Sequence, residues 1–522
     1  MMNGEGEVGP RHVAGKPANK DGRPSAEPVE PRAGAKGNMV EHGTRRTLGR
    51  ASVSPGLDRV RQRARQKKGE RFTALLHHVD VDLLRAAYGR LKKDAAAGVD
   101  GVTWQEYGED LGPRLAALKD RIHRGAYRAL PSRRVYIPKP DGRQRPLGIA
   151  ALEDKIVQRA VVEVLNAIWE EDFLGFSYGF RPGRSQHDAL DALAAGITGR
   201  RVNFILDADI AGFFDTVSHD WLIRFVEHRI ADRRIVRLIR KWLKAGVMEE
   251  EAVQPGTVGT PQGAVISPLL ANIYLHYAYD LWAHQRRQRH ARGTVIFVRG
   301  ACPRAGRRPD PWADDIVAGF EHAADAERFL AEMRERMAAF GLALHPEKTR
   351  LIEFGRFAAA NRRARGLGKP ETFNFLGFTH ICARNRRGGF LLKRTSRRDR
   401  MNAKLRAVKE ALRRRMHEPI DEQGRWLGQI VRGAFAYHAV PSNYAALAAF
   451  RDHITDLWRR TLRRRSQKDR TTWTRIATLA NRWLPKPRIL HPWPELRFAG
   501  RHPRWEPDAR IGHVRFCAGG VR

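Results

Sequence analysis

The chain has 522 residues, enough at roughly 150 residues per domain for two to four domains with a core that needs no disulfides. Lys and Arg total 96 against 57 Asp and Glu, a net charge of +39, which excludes an ordinary near-neutral metabolic enzyme and points to a polyanionic partner. The surplus is uneven: residues 381–522 hold 34 basic and 11 acidic side chains, a surplus of 23.

Residues 1–70 are rich in Gly, Pro, Arg and Lys and poor in large apolar groups, and are expected to be a disordered basic extension. Ordered sequence is expected from Arg71, where Leu75, Leu76, Val79, Leu83, Leu84, Ala87 and Leu91 recur at helical spacing. A short β-rich piece, Val135, Tyr136 and Ile137, runs into the turn signal at Pro140, Asp141 and Gly142. Ile156, Val157, Ala160, Val161, Val164, Leu165 and Ile168 mark a long buried helix. Residues 202–210 read as a strand, with Phe204, Leu206 and Ala208 on one face and Asn203, Ile205, Asp207 and Asp209 on the other. Helices are expected over 219–229, 233–245 and 323–340, and short strands over 294–299 and 316–320. Beyond Gly389 the pattern reads as helical and Arg-rich to about Trp483, and the last forty residues as irregular.

Three distant cysteines, Cys302, Cys382 and Cys517, form neither a zinc spacing nor a disulfide framework, and suit a reducing compartment. The N-terminus does not read as a secretory signal, and no run of 18 apolar residues suggests a membrane span. The expected location is the cytoplasm, in company with nucleic acid.

Two acidic clusters stand in β-like contexts of this basic chain: DADIAGFFD at 207–215, and Asp314-Asp315 between two apolar pieces. Adjacent aspartates repel and lose solvation unless a cation offsets them. Magnesium is commonly held by a few carboxylates with substrate phosphates, and two such ions serve phosphoryl transfer. On their own, Asp314 and Asp315 read equally as a polar turn and Asp209 as a strand-end cap.

These clusters belong to an ordered series: YIPKPDGRQRPLGI at 136–149, YGFRPGRS at 178–185, the Asp209 segment, GTPQGAVISPLLAN at 259–272, the Asp pair, GLALHPEKT at 341–349 and FNFLGF at 373–378. In this order they resemble the successive motifs of the reverse transcriptases encoded by bacterial group II introns. GVDGVT at 98–103 is similar to an extra N-terminal motif of that family, and Trp426, RGAFAYHAVP at 432–441 and the basic helix through Arg465 resemble its thumb and maturase region.

The resemblance implies an α+β fold: a right-hand polymerase, with fingers and palm over residues 71–380, followed by an all-helical thumb and maturase region at 390–485 and an irregular basic tail at 486–522. It implies an RNA-directed DNA polymerase that binds intron RNA, assists its splicing and mobility, and uses a DNA primer and deoxynucleoside triphosphates. Asp209, Asp314 and Asp315 would be the catalytic ligands of Mg2+. Lys139 and Arg145 would meet the triphosphate, Phe214 would gate the ribose 2′-hydroxyl, Gln262 would line the nucleotide site and Lys348 would act on the leaving pyrophosphate. Residues 373–378 would grip the primer. A solvated charge fits Lys139, Arg145 and Lys348 as well, and core packing fits Phe214 and the Phe373 hairpin. Arg413, Arg414, Arg415, Arg459, Arg460, Arg463, Arg464 and Arg465, interleaved with Trp426, Tyr437, Trp458, Trp473 and Trp483, suit phosphates and unpaired bases. Packed aromatics with the arginines on RNA is the expected division.

The sequence departs from the family pattern at one place. The strand is expected to end at Arg299, and twelve residues, 300–311, separate it from Trp312, which replaces a tyrosine. Their glycines and prolines are not expected to continue a strand. Either this loop bulges outward and the strand line resumes at Trp312, or the hairpin is damaged and the chain is a splicing factor without polymerase activity. A His-Asn-His endonuclease module with paired cysteines is not expected, because only Cys517 follows Cys382.

Overall fold

The computed structural model describes residues 55–138, 144–249, 252–254, 259–260, 263–302, 312–465 and 471–501. The first helix, α1 (Pro55–Gln66), corrects the expectation of disorder through residue 70. Leu57, Val60 and Ala64 form a narrow buried stripe on an otherwise Arg-rich helix. The helical spacing after Arg71 resolves into a short 3-10 turn (Leu76–His78) and α2 (Val81–Gly89). The break falls at Asp80, whose side chain caps α2 by accepting from Leu83 N at 2.7 Å. Then come α3 (Trp104–Gly108), opened by a Thr103–Glu106 capping box, and α4 (Leu111–His123).

Strands β1 (Ser132–Pro138) and β2 (Gln144–Ile149) form the hairpin that the turn signal predicts. Helix α5 (Leu152–Asp172) buries thirteen of its residues and is the long helix read from the sequence. After α6 (Gln186–Gly199) comes β3 (Phe204–Ala208), a strand shorter than expected. The elements α7 (Phe213–Thr216), α8 (His219–Arg229), α9 (Arg233–Lys244), β4 (Val247–Glu249) and β5 (Ala252–Gln254) follow. Helix α10 (Ser267–Leu275) continues through a π turn (His276–Asp280) into α11 (Leu281–His290). Next are β6 (Val295–Cys302), β7 (Trp312–Phe320), α12 (Ala323–Ala339), β8 (Arg350–Glu353) and α13 (Ala358–Ala364).

The central sheet has the order β6-β7-β3-β8, all neighbours antiparallel. It is buried on both faces. Leu206, Ala208, Ile316 and Ala318 face a core built largely from α5 and α10. Ile205, Ile296, Val298 and Val317 face a second core shared with α6. A second sheet has the order β2-β1-β4-β5, and a third lies downstream.

Strands β9 (Phe373–Phe375), β10 (Phe378–Arg384) and β11 (Phe390–Ser396) make that third sheet, which corrects the expectation of continuous helix after Gly389. Thr395 and Arg397 flank the change: helices begin only at α14 (Arg398–Arg414) and go on with α15 (Ile420–His438), α16 (Tyr444–Arg463) and α17 (Trp473–Trp483). Leu412, Leu427, Val431, Ile454, Trp458 and Ile476 give these four helices a core of their own. The tail is corrected too. Residues 486–493 run as coil, but α18 (Pro494–Arg501) packs on α6, with Arg497 3.0 Å from the buried Asp191. No helix among the described residues is long and apolar enough to cross a membrane.

Candidate active site

The strand register decides which carboxylates meet. Ala208 of β3 pairs with Ile316 of β7, so the next step outward sets Asp209 opposite Asp315. Asp207 lies two residues earlier on the same side of β3 as Asp209. Past the strand, Asp209 is fixed by its backbone. Its carbonyl accepts from His345 N at 2.7 Å, and its N–H donates to Thr349 Oγ1 at 3.5 Å. Ala211 N donates to Ala343 O at 2.8 Å, so residues 209–211 are tied to the 341–349 segment rather than free in a loop.

The electrostatics are those of crowded carboxylates. Burial, then the charge of Asp315, pushes Asp207 up to about 7 against the partial relief of Arg350, 3.8 Å away. Burial, then Asp209, pushes Asp315 up to about 6, with Arg400, Arg397 and Lys348 acting in the opposite sense. Lys348 donates to Asp209 Oδ2 at 2.7 Å. Two facing carboxylates, a third behind them and a side-chain ammonium on one of them form a site whose repulsion a divalent cation would relieve. In charge and donor type the residues therefore fit magnesium. Among the described residues, no three His, Cys, Asp or Glu side chains converge as a metal-ligand group. Asp314 lies in β7, but its side chain falls outside what is described.

The hairpin bearing Asp315 is described on both sides of residues 303–311. β6 does not stop at Arg299 but continues to Cys302, against the expectation that these residues break the strand. Gly300 pairs with Asp315 and Cys302 with Trp312, with one register irregularity between the two pairs. Trp312 and Ala313 thus stand in the strand line, and residues 303–311 lie outside the described ones. Arg299, fully buried, anchors the base: it meets both oxygens of Asp280 at 2.9 and 2.7 Å, Asn272 Oδ1 at 3.0 Å and Ser177 Oγ at 2.6 Å.

The remaining expected residues are placed as follows. Phe214 is buried in α7, its ring edge-on to Phe213. Its carbonyl accepts from Thr260 N at 2.8 Å, which brings the start of the 259–272 motif onto it. Lys139 and Gln262 lie outside the described residues; Arg145 stands opposite Ile137 in β2, and its side chain is not described. Phe373, Phe375 and Phe378 are buried in the core of the third sheet, where Leu376 (φ 45°) and Gly377 (φ 83°) make the turn.

The basic clusters come together by the helix packing. Arg465 donates to the Glu418 carbonyl, and Arg415 meets the Glu418 carboxylate at 2.7 Å. The C-terminal ends of α14 and α16, bearing Arg413–Arg415 and Arg459–Arg465, therefore meet at one end of the bundle. Arg413, Arg414, Arg463 and Arg464 are exposed and make no ion pair among the described residues, whereas Arg459 and Arg460 pair with Asp456. Trp458 is buried and donates to Gln423 at 3.0 Å; Trp426, Tyr437 and Trp483 are half-buried. Trp473 is 57% exposed and lies under Arg459, 4.1 Å from the ring centre.

Sequence reasoning missed four contributors. Asp207 was legible by period two from Asp209. Arg397 and Arg400 arrive from the N-cap and first turn of α14, and no local signal marks them. Gln158, on α5, touches the loop after Gln262 and is likewise visible only in three dimensions.

Residues 137–380 match the family model of the reverse transcriptase (RNA-dependent DNA polymerase). This stretch is a reverse transcriptase domain, the class that the sheet and the acidic site lead to. Among curated relatives, the chain is 44% identical over 192 residues to protein YkfC of Escherichia coli, covering 36% of this chain and 50% of the relative. It is 37% identical over 226 residues to the group II intron-encoded protein LtrA of Lactococcus lactis, covering 42% and 37%. It is also 45% identical over 218 residues to a 91 kDa protein in the cob intron of Schizosaccharomyces pombe, covering 42% and 27%. Residues 137–380 thus match the reverse transcriptase family, the chain is similar to relatives that include a group II intron-encoded protein, and the matches span half or less of the length of these relatives.

Proposed function

We propose that the chain is an RNA-directed DNA polymerase of a group II intron that also binds the intron RNA and supports its splicing. The observation that carries this reading is the juxtaposition of Asp209 and Asp315 across β3 and β7 in a reverse transcriptase domain. In this reading the central sheet is the palm, β1 and β2 belong to the fingers, and α14–α17 are the thumb and maturase region. Asp209, Asp314 and Asp315 would hold two magnesium ions, which supply the charge that activates the primer 3′-oxygen and stabilises the leaving oxygen.

The protein's own side chains do the rest. β3 and the 341–349 segment hold the Asp209 backbone from both sides. Lys348 holds its ammonium on Asp209, and in this reading it is the residue that acts on the departing pyrophosphate. Lys139 and Arg145 bind the triphosphate, Gln262 lines the base pair, and Phe214 closes off the sugar's 2′ side. The exposed arginines at the joined ends of α14 and α16 bind RNA phosphates.

A second reading, a splicing factor without polymerase activity, is motivated by residues 300–311 and Trp312. The pairing of Gly300 with Asp315 and of Cys302 with Trp312 supports the first. The test is extension of a DNA primer on an RNA template by the purified full chain. Extension is expected with Mg2+ and not with EDTA, and Asp209→Asn is expected to reduce it by at least about a hundredfold with RNA binding retained. No extension by wild type, with splicing promoted equally by wild type and Asp209→Asn, would leave the second reading.

A further inference from the structure

A guanidinium taken out of water calls for a counter-charge. Four arginines are buried among the described residues, and each meets a carboxylate: Arg181 with Glu170 at 3.0 Å, Arg229 with Asp172 at 2.7 Å, Arg299 with Asp280 at 2.7 Å and Arg394 with Asp191 at 3.5 Å. Arg287, part-buried on α11, makes no ion pair among the described residues. Its Nη2 donates to His284 Nδ1 at 3.1 Å, and its guanidinium lies over the Phe297 ring, 5.8 Å from the centre. A guanidinium only donates, so His284 accepts and is neutral; burial, then the charge of Arg287, lowers its proton affinity in the same sense. Burial also pulls the Arg287 guanidinium down to about 10, with no carboxylate acting against it.

Arg287 lines a cleft between α11 and α12, with Arg286, His290, Asp325, Arg328 and Glu332. Both carboxylates there already have partners. Asp325 accepts from Arg292 N at 2.9 Å, Gly293 N at 3.2 Å and Arg328 at 2.6 Å, and Glu332 pairs with Arg286. Three guanidinium groups thus face two carboxylates, and Arg287 is the one left over. Arg289 and Arg292, on either side of His290 in the chain, are exposed and add to the positive field. The cleft is remote from the acidic site. Val295 and Phe320, which also line it, form the first pair of the β6–β7 ladder, whereas Asp315 pairs with Gly300 toward the other end. Along β7, Phe320 and Asp315 are about 17 Å apart at the usual strand rise.

We propose that the cleft between α11 and α12 is a phosphate-binding site, with Arg287 as the donor that meets the phosphate. The planar fork of a guanidinium matches two oxygens of one phosphate. A net charge of +39 and a reverse transcriptase domain bring phosphate to this chain as nucleic-acid backbone or as the free anion. The site goes beyond the polymerase reading and stands without it, since neither Asp209 nor Asp315 takes part.

Two full-chain variants test it. Arg287→Met removes the charge and keeps an apolar stem on Phe297, and Arg287→Lys keeps the charge without the fork. In equilibrium dialysis against labelled inorganic phosphate at constant ionic strength, Arg287→Met is expected to hold about one phosphate fewer per chain than wild type. Arg287→Lys is expected to bind that phosphate about tenfold more weakly. In parallel, binding of a structured RNA is followed over a range of salt concentrations. A slope of log binding constant against log salt that is shallower by about 1 in Arg287→Met, and restored in Arg287→Lys, supports the site with a backbone phosphate as its ligand. Loss of one phosphate in dialysis with an unchanged slope supports it with the free anion as its ligand. Unchanged dialysis and unchanged slope in Arg287→Met would overturn the proposal, as would equal loss of slope in both variants. If Arg287→Met has no cooperative melting transition, Arg287→Lys decides: weaker phosphate binding with wild-type melting supports the site, and unchanged phosphate binding overturns it.

Discussion

At the residue scale, two buried charges separate support from strain. The Arg299 guanidinium satisfies Asp280, Asn272 and Ser177 at once, at zero exposure. A buried pair of this kind gains little over an apolar pair, but removing one partner strands the other. Arg299→Met should therefore destabilise the fold by about 3–5 kcal/mol in urea denaturation. The local loss should fall on the β6–β7 hairpin. Asp154 is the opposite case: burial pushes its carboxyl up to about 6, although the Tyr127 hydroxyl and Leu130 N both donate to it. In the folded state it holds its proton over a range in which the unfolded chain, with an ordinary Asp near 3.8, has lost it. The native state then binds more protons than the unfolded state, so stability falls as pH rises from about 4 to about 6. Asp154→Asn removes this contribution, and its stability relative to wild type should improve by on the order of 2 kcal/mol between pH 4 and pH 7, read from paired denaturation curves.

At the scale of elements, the β6–β7 hairpin is the test of whether residues 300–311 disturb the site. Its ladder runs from Val295↔Phe320 to Cys302↔Trp312, and Arg299 holds it from below. Replacing residues 303–311 by a two-residue Asn-Gly turn should leave stability within about 1 kcal/mol of wild type, because the closure entropy of a connection grows only slowly with its length. A melting point lowered by ten degrees or more would show that these residues support the hairpin. The same hairpin shows what was legible in the sequence. Apolar runs at 295–299 and 316–320 announced both strands; their extension to 302 and from 312 did not show, because Gly, Ala and Asp carry little strand signal and pairing alone holds them. The Arg-rich α1 was hidden in the same way, its apolar stripe being only Leu57, Val60 and Ala64. β11 was hidden because Arg394 occupies an inward position, 3.5 Å from Asp191, so a charge stands where alternation calls for an apolar residue. The site was legible as far as the motifs reach, at Asp209, Asp315 and Lys348. Arg397, Arg400 and Gln158 enter through tertiary packing, for which a single sequence has no local sign.

At the scale of the whole molecule, the surplus charge is organised rather than spread. The acidic island at Asp207, Asp209 and Asp315 is faced by Lys348, Arg350, Arg397 and Arg400, whereas Arg413, Arg414, Arg463 and Arg464 are exposed at the joined ends of α14 and α16. Those ends are also where the helix dipoles are negative, which favours cations there before any ligand arrives. The arrangement gives a patch made from two helices far apart in sequence but linked through Glu418. If this patch binds RNA phosphates, each arginine that reaches one contributes a released counterion. Changing Arg413, Arg414, Arg463 and Arg464 together to Gln should then make the slope of log binding constant against log salt shallower by about 2–4. Thermal stability should hardly move, since none of the four makes an ion pair among the described residues. Filter-binding titrations on structured RNA at several salt concentrations read the slope directly. An unchanged slope would move RNA binding off this end of the bundle and onto the remaining basic surface, whereas a shallower slope with unchanged primer extension would separate the RNA-binding surface from the acidic site.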